Sequence, residues 1–409
     1  MNILFELSNC ESALKAYTPI VESLRKRHNG IVCNVVSFSE FFGLETDVER
    51  LHSVFDHVYT LNQIAEHRAS FLGSLGHTLN LLPPSLKGLW VTRRNLEAII
   101  RETRPRVIVV ANDRRFPEYD LVLLANQSQI PTLLLQESVR KDLIFPPQNY
   151  GKRAEALRRI FHYERGQLRH GEGGCTRIAA WSQNGVDYFQ AVGVPASRIF
   201  VAGNPRMDRF VDRCRSLSRD EARGELGVPL ESRVVLFATN PLSRMGIASL
   251  PDYLEAMRIV INLVDRAGGE GFNGLLLLKP HRLEIADHHL YGIVQACKIS
   301  RFVHYLEGTS LESAIVATDA VLVFNSTVAV EAALVKKPVG IVNLHGWELG
   351  TDFVEHGLAV ELCGEFSLEA FLRGGRDTNQ QMANVGHYVQ HIGSSAERIA
   401  EEIMLLAGK

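Results

Sequence analysis

An α/β fold with two mainly parallel sheets is predicted for this chain, on three observations. Runs such as GLLLL at 274–278 and AVLVF at 320–324 are apolar without polar alternation, the pattern of a strand covered on both faces. Amphipathic stretches lie between such runs along the whole chain, as crossover helices would. The length of 409 residues exceeds the size at which one core stops growing, so two domains are expected.

Taken in order, the first half predicts strands over 2–7, 31–36, 106–111, 132–135, 177–181 and 199–202, where aliphatic residues cluster between turn-forming ones. Helices are predicted over 18–27, 86–102 and 117–127, with Pro19 in a first turn, where its missing N–H costs little. In GVPASRIFVAGNPRMDRF (193–210), Gly193, Pro195, Gly203 and Pro205 break any helix, which puts the domain boundary near Arg206. The second half repeats the scheme with strands over 233–238, 274–278, 301–304, 320–324 and 338–342. A last helix over 394–406 opens with a capping-box pattern, Ser394 with Glu397 three residues on. The expected organisation is 1–205, 206–393 and a C-terminal helix at 394–409, the two larger parts facing across a cleft that suits a small ligand.

Composition narrows the function. Hydrophobic residues at 46% and charged residues at 22% are ordinary for a globular protein, and a net charge of -2 argues against a general nucleic-acid binder. Six cysteines stand without CxxC pairs, so neither a zinc site nor a disulfide framework is suggested and a reducing, cytoplasmic compartment fits. The start MNILFELSN lacks a basic region and reads as a strand rather than a signal peptide. No apolar run approaches the roughly 18 residues of a membrane span, which leaves peripheral contact at the inner face of a membrane as the membrane option.

Several apolar runs end abruptly in polar or cationic residues, and open α/β sheets bind ligands beyond the carboxyl ends of their strands. KPHR supplies Lys279 and Arg282 to balance a diphosphate, and His281 to donate to a phosphate oxygen as a candidate catalytic residue that stabilises charge on the leaving phosphate. Asn325, Ser326 and Thr327 stand where a helix starts, a role that suits both an ordinary cap and an anion. Thr239 and Asn240 end the 233–238 strand, and Asn204 and Arg206 lie in the GNPR turn. These are the candidate nucleotide and phosphate contacts, together with Glu331, the one acid in an apolar helix, for which a ribose hydroxyl pair is a possible partner. His345, Trp347 and Glu348 in the loop LHGWELGTD are candidate contacts to a sugar. On the first half, Glu6 comes after the apolar start NILF, and Asp113 and Glu137 each follow a strand. Asp113, beside Arg114 and Arg115, is the first choice as general base. No DxD-like cluster ends a strand in the second half, so neither a metal nor a cofactor is expected.

The order VAGNPRMD, KPH, then NST with EA and KP downstream resembles GT-B nucleotide-sugar glycosyltransferases of bacterial surface-polysaccharide synthesis. It resembles also their relatives, the CDP-glycerol glycerophosphotransferases and UDP-N-acetylglucosamine 2-epimerases. The likeness covers about 177–360. It implies two Rossmann-like domains, the C-terminal one holding the nucleotide and the N-terminal one the acceptor, with His281 and the Ser326–Thr327 hydroxyls at the donor phosphate. Two departures stand out: Arg282 where the family has a proline after the histidine, and QES at 136–138 where many relatives carry Gln-His-Gly. The Gly-Gly-Gln-Glu-Glu string usual in the epimerase branch is replaced by NSTVAVE.

The resemblance therefore implies transfer of a sugar from a nucleotide-activated donor to a glycan or lipid-linked acceptor. The alternatives are polyol-phosphate transfer from a CDP-alcohol, 2-epimerisation, or nucleotide binding without catalysis. The apolar stretch 71–90 with Arg93 and Arg94, and the basic stretch 152–170, are candidate acceptor or membrane contacts, although a buried hairpin and a solvated helix face explain them as well.

Overall fold

The computed structural model describes residues 1–8, 10–40, 46–61, 86–114, 116–137, 169–243, 245–271, 273–281, 284, 301–374 and 384–408. Most of the 71–90 and 152–170 stretches, Arg282, Arg115 and Ser138 lie outside them. Among the described residues, 1–137, 169–206 and 390–408 form one unit and 207–389 the other.

The first unit carries seven strands: β1 (Asn2–Leu7), β2 (Val32–Ser37), β3 (His57–Thr60), β4 (Val107–Val110), β5 (Thr132–Leu135), β6 (Arg177–Ala180) and β7 (Ile199–Val201). Their spatial order is β3-β2-β1-β4-β5-β6-β7, and every pair is parallel. Both β4 and β5 are buried along their whole length, which explains their unbroken apolar sequence. Helices α1 (Cys10–Arg27), α2 (Val48–His52), α3 (Leu86–Thr103), α4 (Glu118–Gln127) and α5 (Gln183–Ala191) lie between the strands in sequence.

In the second unit the strands are β8 (Arg233–Ala238), β9 (Gly274–Lys279), β10 (Val303–Tyr305), β11 (Ala320–Val323), β12 (Val339–Val342) and β13 (Val360–Leu362). They are again all parallel, in the order β10-β9-β8-β11-β12-β13. The helices here are α6 (Pro205–Ser216), α7 (Arg219–Glu225), α8 (Leu250–Gly269), α9 (Leu311–Ala317), α10 (Val328–Leu334), α11 (Glu365–Leu372) and α12 (Val385–Tyr388); α13 (Ser395–Leu406) follows in sequence and belongs to the first unit. Strand order reverses between β1 and β4 in one sheet and between β8 and β11 in the other, and at such points adjacent crossovers diverge and leave a crevice.

Three expectations change. Pro19 sits in the interior of α1, because the helix begins at Cys10. An interior proline costs a helix about 3 kcal/mol, and the burial of Leu14, Tyr17, Ile20, Val21 and Leu24 on the same helix offsets it. The C-terminal helix is no separate element. Ile399, Ala400, Ile403 and Met404 pack into the core of the first unit beside α1, and Arg177 pairs with Glu402 at 2.7 Å. Its capping box does not form, since Ser394 Oγ donates to His391 O at 3.1 Å. A capping box occurs instead at Ser218 and Glu221, where α7 starts.

Gly203 explains part of the GNPR motif. Its φ is +85°, and a Cβ there would lie 2.3 Å from Ser395 Oγ and 2.4 Å from Gln390 O. The turn therefore needs glycine to let the returning C-terminal segment approach.

A fully buried arginine organises the second unit. Arg223 on α7 donates to the carbonyls of Ala317 (2.9 Å), Pro229 (3.1 Å) and Ser232 (2.8 Å), and to Asp319 Oδ2 at 2.9 Å. Asp319 in turn accepts from Val234 N at the start of β8. Replacing Arg223 with Ala strands these acceptors in the core, so a loss of at least about 3 kcal/mol is expected. An unfolding free energy within about 0.5 kcal/mol of wild type, from urea titration at unchanged slope, would contradict this account.

Candidate functional site

At the reversal point of the second unit, Thr239 and Asn240 follow the end of β8, and Phe324 and Asn325 follow the end of β11. The two asparagines bridge the gap directly, Asn240 Nδ2 donating to Asn325 Oδ1, while Asn325 Nδ2 donates to Leu349 O at 2.9 Å. Asn240 Oδ1 is buried and has no partner among the described residues. A buried acceptor left without a donor costs about 1–3 kcal/mol, so this atom is a natural contact for a ligand N–H or O–H.

Glu284 is a hub that the sequence reading missed. It is buried, accepts from Thr239 Oγ1 at 2.6 Å and from His281 N at 2.8 Å, and also takes the Tyr253 hydroxyl. It thus fixes the turn that carries His281 just after β9. The available signal was its position five residues beyond the last strand residue, in KPHRLE. Lys279 does a structural job as well, its Nζ donating to Thr309 O at 2.6 Å.

Ser326 and Thr327 precede α10, a helix of seven residues. Ser326 Oγ accepts from Val328 N at 3.3 Å, and Thr327 occupies the cap without a side-chain bond, so its hydroxyl is not used to close the helix. Glu331 is buried on the same helix, and its charge adds to the burial that raises the Cys214 thiol. In the loop after β12, Trp347 N donates to Asn343 Oδ1 at 2.7 Å and the indole packs edge-on to Phe324 at 5.9 Å. His345 lies against the indole at 5.1 Å. Glu348 is exposed. Asn240, Asn325 and the Trp347 loop are therefore joined in one network at the carboxyl edge of the sheet, with the His281 turn tied to it through Glu284 and Thr239.

The first unit has a cavity at its own reversal point. Tyr17, Ala111, Gln136, Glu137, Trp181 and Arg206 are among its lining residues, as is Asn204. Gln136 is fixed by Trp181, whose backbone N donates to Gln136 Oε1 at 2.8 Å while its Nε1 donates to Gln136 O at 2.6 Å. Asn204 Oδ1 accepts from Arg206 N at 3.0 Å, shaping the turn that opens α6. The Tyr17 hydroxyl is buried without a hydrogen-bond partner among the described residues. Burial, then the charges of Glu6 and Glu137, keep that phenol protonated by raising its pKa well above the ordinary value.

Behind this cavity is a buried acidic pair. Glu6 and Glu118 are both fully enclosed, with Ser8 Oγ in contact with Glu6 and 2.7 Å from Glu118 Oε1. Ala111 N donates to Glu6 Oε2 at 3.1 Å. Burial first, then the charge of Glu118, lift the Glu6 carboxyl from 4.5 to about 8. Ser8 has one proton and two carboxyl neighbours, so a neutral Glu6 resolves the arrangement: its O–H donates to Ser8 Oγ and the Ser8 O–H donates to Glu118.

Asp113, the expected general base, is enclosed in a hydrogen-bonded turn. It is fully buried, Oδ1 accepts from Gly171 N at 3.0 Å, and Oδ2 accepts from Gly173 N at 2.9 Å. A Cβ on Gly173 would lie 2.0 Å from Asp113 O, so this glycine turn is built around the carboxylate. Of the three carboxylates that sequence reasoning singled out, Glu137 alone is exposed at the cavity.

No protein-family model matches the chain, and no curated protein is similar to it in sequence. Solved structures are similar along its whole length. The UDP-GlcNAc 2-epimerase of Neisseria meningitidis, bound to UDP-GlcNAc, has a TM-score of 0.64 at 15% identity, covering 99% of this chain and 100% of that one. That of Methanocaldococcus jannaschii, in complex with UDP-GlcNAc and UDP, gives the same figures. The wall teichoic acid polymerase TagF has a TM-score of 0.58 at 12% identity, covering 100% of this chain and 88% of that one. The fold is GT-B, with two Rossmann-like units, as the motif order implied.

Proposed function

We propose that this chain is a nucleotide-sugar-dependent enzyme that binds the nucleotide in its second unit and moves the sugar to a glycan or lipid-linked acceptor held by the first. The observation that carries the reading is the asparagine bridge at the β8–β11 reversal point, with the unsatisfied Asn240 acceptor at the crevice. A uracil or cytosine ring or a ribose hydroxyl offers the donor that Asn240 lacks. The His281 turn and the Ser326 and Thr327 hydroxyls supply groups suited to phosphate oxygens, and stabilising charge on the departing phosphate is the largest catalytic contribution such a site can make. Arg282 is assigned to the same phosphates, Glu331 to the ribose, and His345, Trp347 and Glu348 to the sugar. Glu137 takes the role of base toward the acceptor hydroxyl. No helix among the described residues is long and apolar enough to cross a membrane, and work at the cytoplasmic face on a lipid-linked acceptor is part of the proposal.

The likeness to UDP-GlcNAc 2-epimerases favours a second reading, 2-epimerisation, in which Glu137 at the cavity takes the proton from the sugar carbon. Incubation of UDP-GlcNAc and a panel of UDP, GDP and CDP sugars in D2O, with and without acceptor, separates the two. Transfer releases nucleoside diphosphate only with acceptor; epimerisation puts deuterium on the sugar without one. Neither outcome across the panel would overturn both. Binding is tested separately: Asn240→Ala is expected to raise the Kd for the nucleotide about tenfold, the equivalent of roughly 1.4 kcal/mol for one lost hydrogen bond. An unchanged Kd by titration calorimetry would remove Asn240 from the site.

A further inference from the structure

The second unit also gathers two imidazoles and a carboxylate from segments about thirty residues apart in sequence. Asp352 and His356 stand on one turn, closed by His356 N donating to Asp352 O at 3.0 Å, so both side chains share a face. His387 comes from α12. One ligand atom from each of the three lies within 4.8 Å of the other two. The histidine rings are 3.9 Å apart at 30°, and His356 Nε2 is 3.5 Å from Asp352 Oδ2.

This grouping is held in place. Tyr388 Oη donates to Asp352 Oδ1 at 2.9 Å, which leaves Oδ2 turned toward His356. Phe353 is fully buried and packs edge-on to the Tyr388 ring at 5.2 Å. Asn384 Nδ2 donates to His356 O at 2.6 Å, tying the turn to the start of α12. Two backbone segments are thus locked together at three points around the three donors. A ligating carboxylate oriented by a second hydrogen bond is the usual construction around a bound metal.

We propose that Asp352, His356 and His387 form a site for a divalent zinc-class ion, with Tyr388 as the residue that positions Asp352. Two imidazoles and one carboxylate are borderline donors that suit zinc better than magnesium or calcium. Three protein ligands leave one position of a tetrahedron to water or a small anion. Zinc takes such ligands at about 2.0–2.2 Å, so ion entry draws the donors closer than their spacing in the free protein. The half-exposed His356 ring can close that distance by side-chain rotation.

The test uses full-length protein stripped with chelator, loaded with Zn2+ or Co2+ and passed through a desalting column. About one ion per chain should be retained, the Co2+ form should absorb in the visible with tetrahedral intensity, and metal-edge X-ray absorption should count two imidazoles. His387→Gln should lower affinity at least tenfold, and Tyr388→Phe should lower it less. His345→Gln, in the group formed with Asp252 and Glu255, should leave metal retention unchanged. Absence of retained metal, an imidazole count other than two, or equal retention by His387→Gln would each overturn the proposal. The X-ray count is made on the unaltered chain, so it decides the matter even if a variant fails to fold.

Discussion

Glu137→Gln is expected to lower turnover by about 10²–10⁴-fold with an unchanged melting temperature, and Asp113→Ala to do the reverse. The two residues were equivalent in sequence, each an acid just past an apolar strand. The structure separates them by access. A general base needs a lone pair that a substrate proton can reach, and Glu137 is exposed at the cavity that Tyr17, Trp181 and Arg206 also line. Glutamine keeps its shape and removes only the proton acceptor. Asp113 already spends both oxygens on Gly171 N and Gly173 N in a fully buried turn. Its loss leaves two buried donors without partners, at about 1–3 kcal/mol each, so the melting temperature should fall while turnover per folded molecule persists. Steady-state rates beside thermal melts of both variants decide the assignment. Should Asp113→Ala abolish turnover in the folded fraction and Glu137→Gln leave it intact, the roles revert to those the sequence suggested.

That contrast marks where sequence reasoning reached its limit. Strands such as β4 and β5 were legible because burial on both faces forces an unbroken apolar run. The missed strands are edges: β3 (His57–Thr60) is only partly buried, and β13 has three residues with Glu361 exposed between apolar neighbours. Neither needs a long apolar run, so neither leaves one. Strand ends located the Asn240 and Asn325 pair, because the switch-point rule is topological and topology follows from strand order. Side-chain assignment was not legible, since it depends on which lone pairs remain after the fold has used the others. Lys279 is a surplus cation in sequence and a loop anchor at Thr309 O in space. Glu284 looks like an ordinary loop acid and is a buried three-way acceptor. Arg223 reads as an ordinary helix charge in ARGE and is fully enclosed.

Glu6 gives the second large expected effect, in stability against pH. Its carboxyl holds a proton up to about pH 8 in the folded chain and releases it near 4.5 when unfolded. Between those values the folded state binds the extra proton, so stability is greatest below about pH 4.5 for this group, declines as pH rises, and levels off above about 8. Glu6→Gln preserves a donor toward Ser8 and an acceptor for Ala111 N, but it has no proton to lose. Urea unfolding at pH 5, 7 and 9 should therefore show wild type losing stability across the series and Glu6→Gln holding nearly level, with the variant the more stable of the two at pH 9. Parallel profiles would mean that Glu6 is ionised in the folded protein, and the Glu6–Ser8–Glu118 chain would then need a donor other than its own carboxyl.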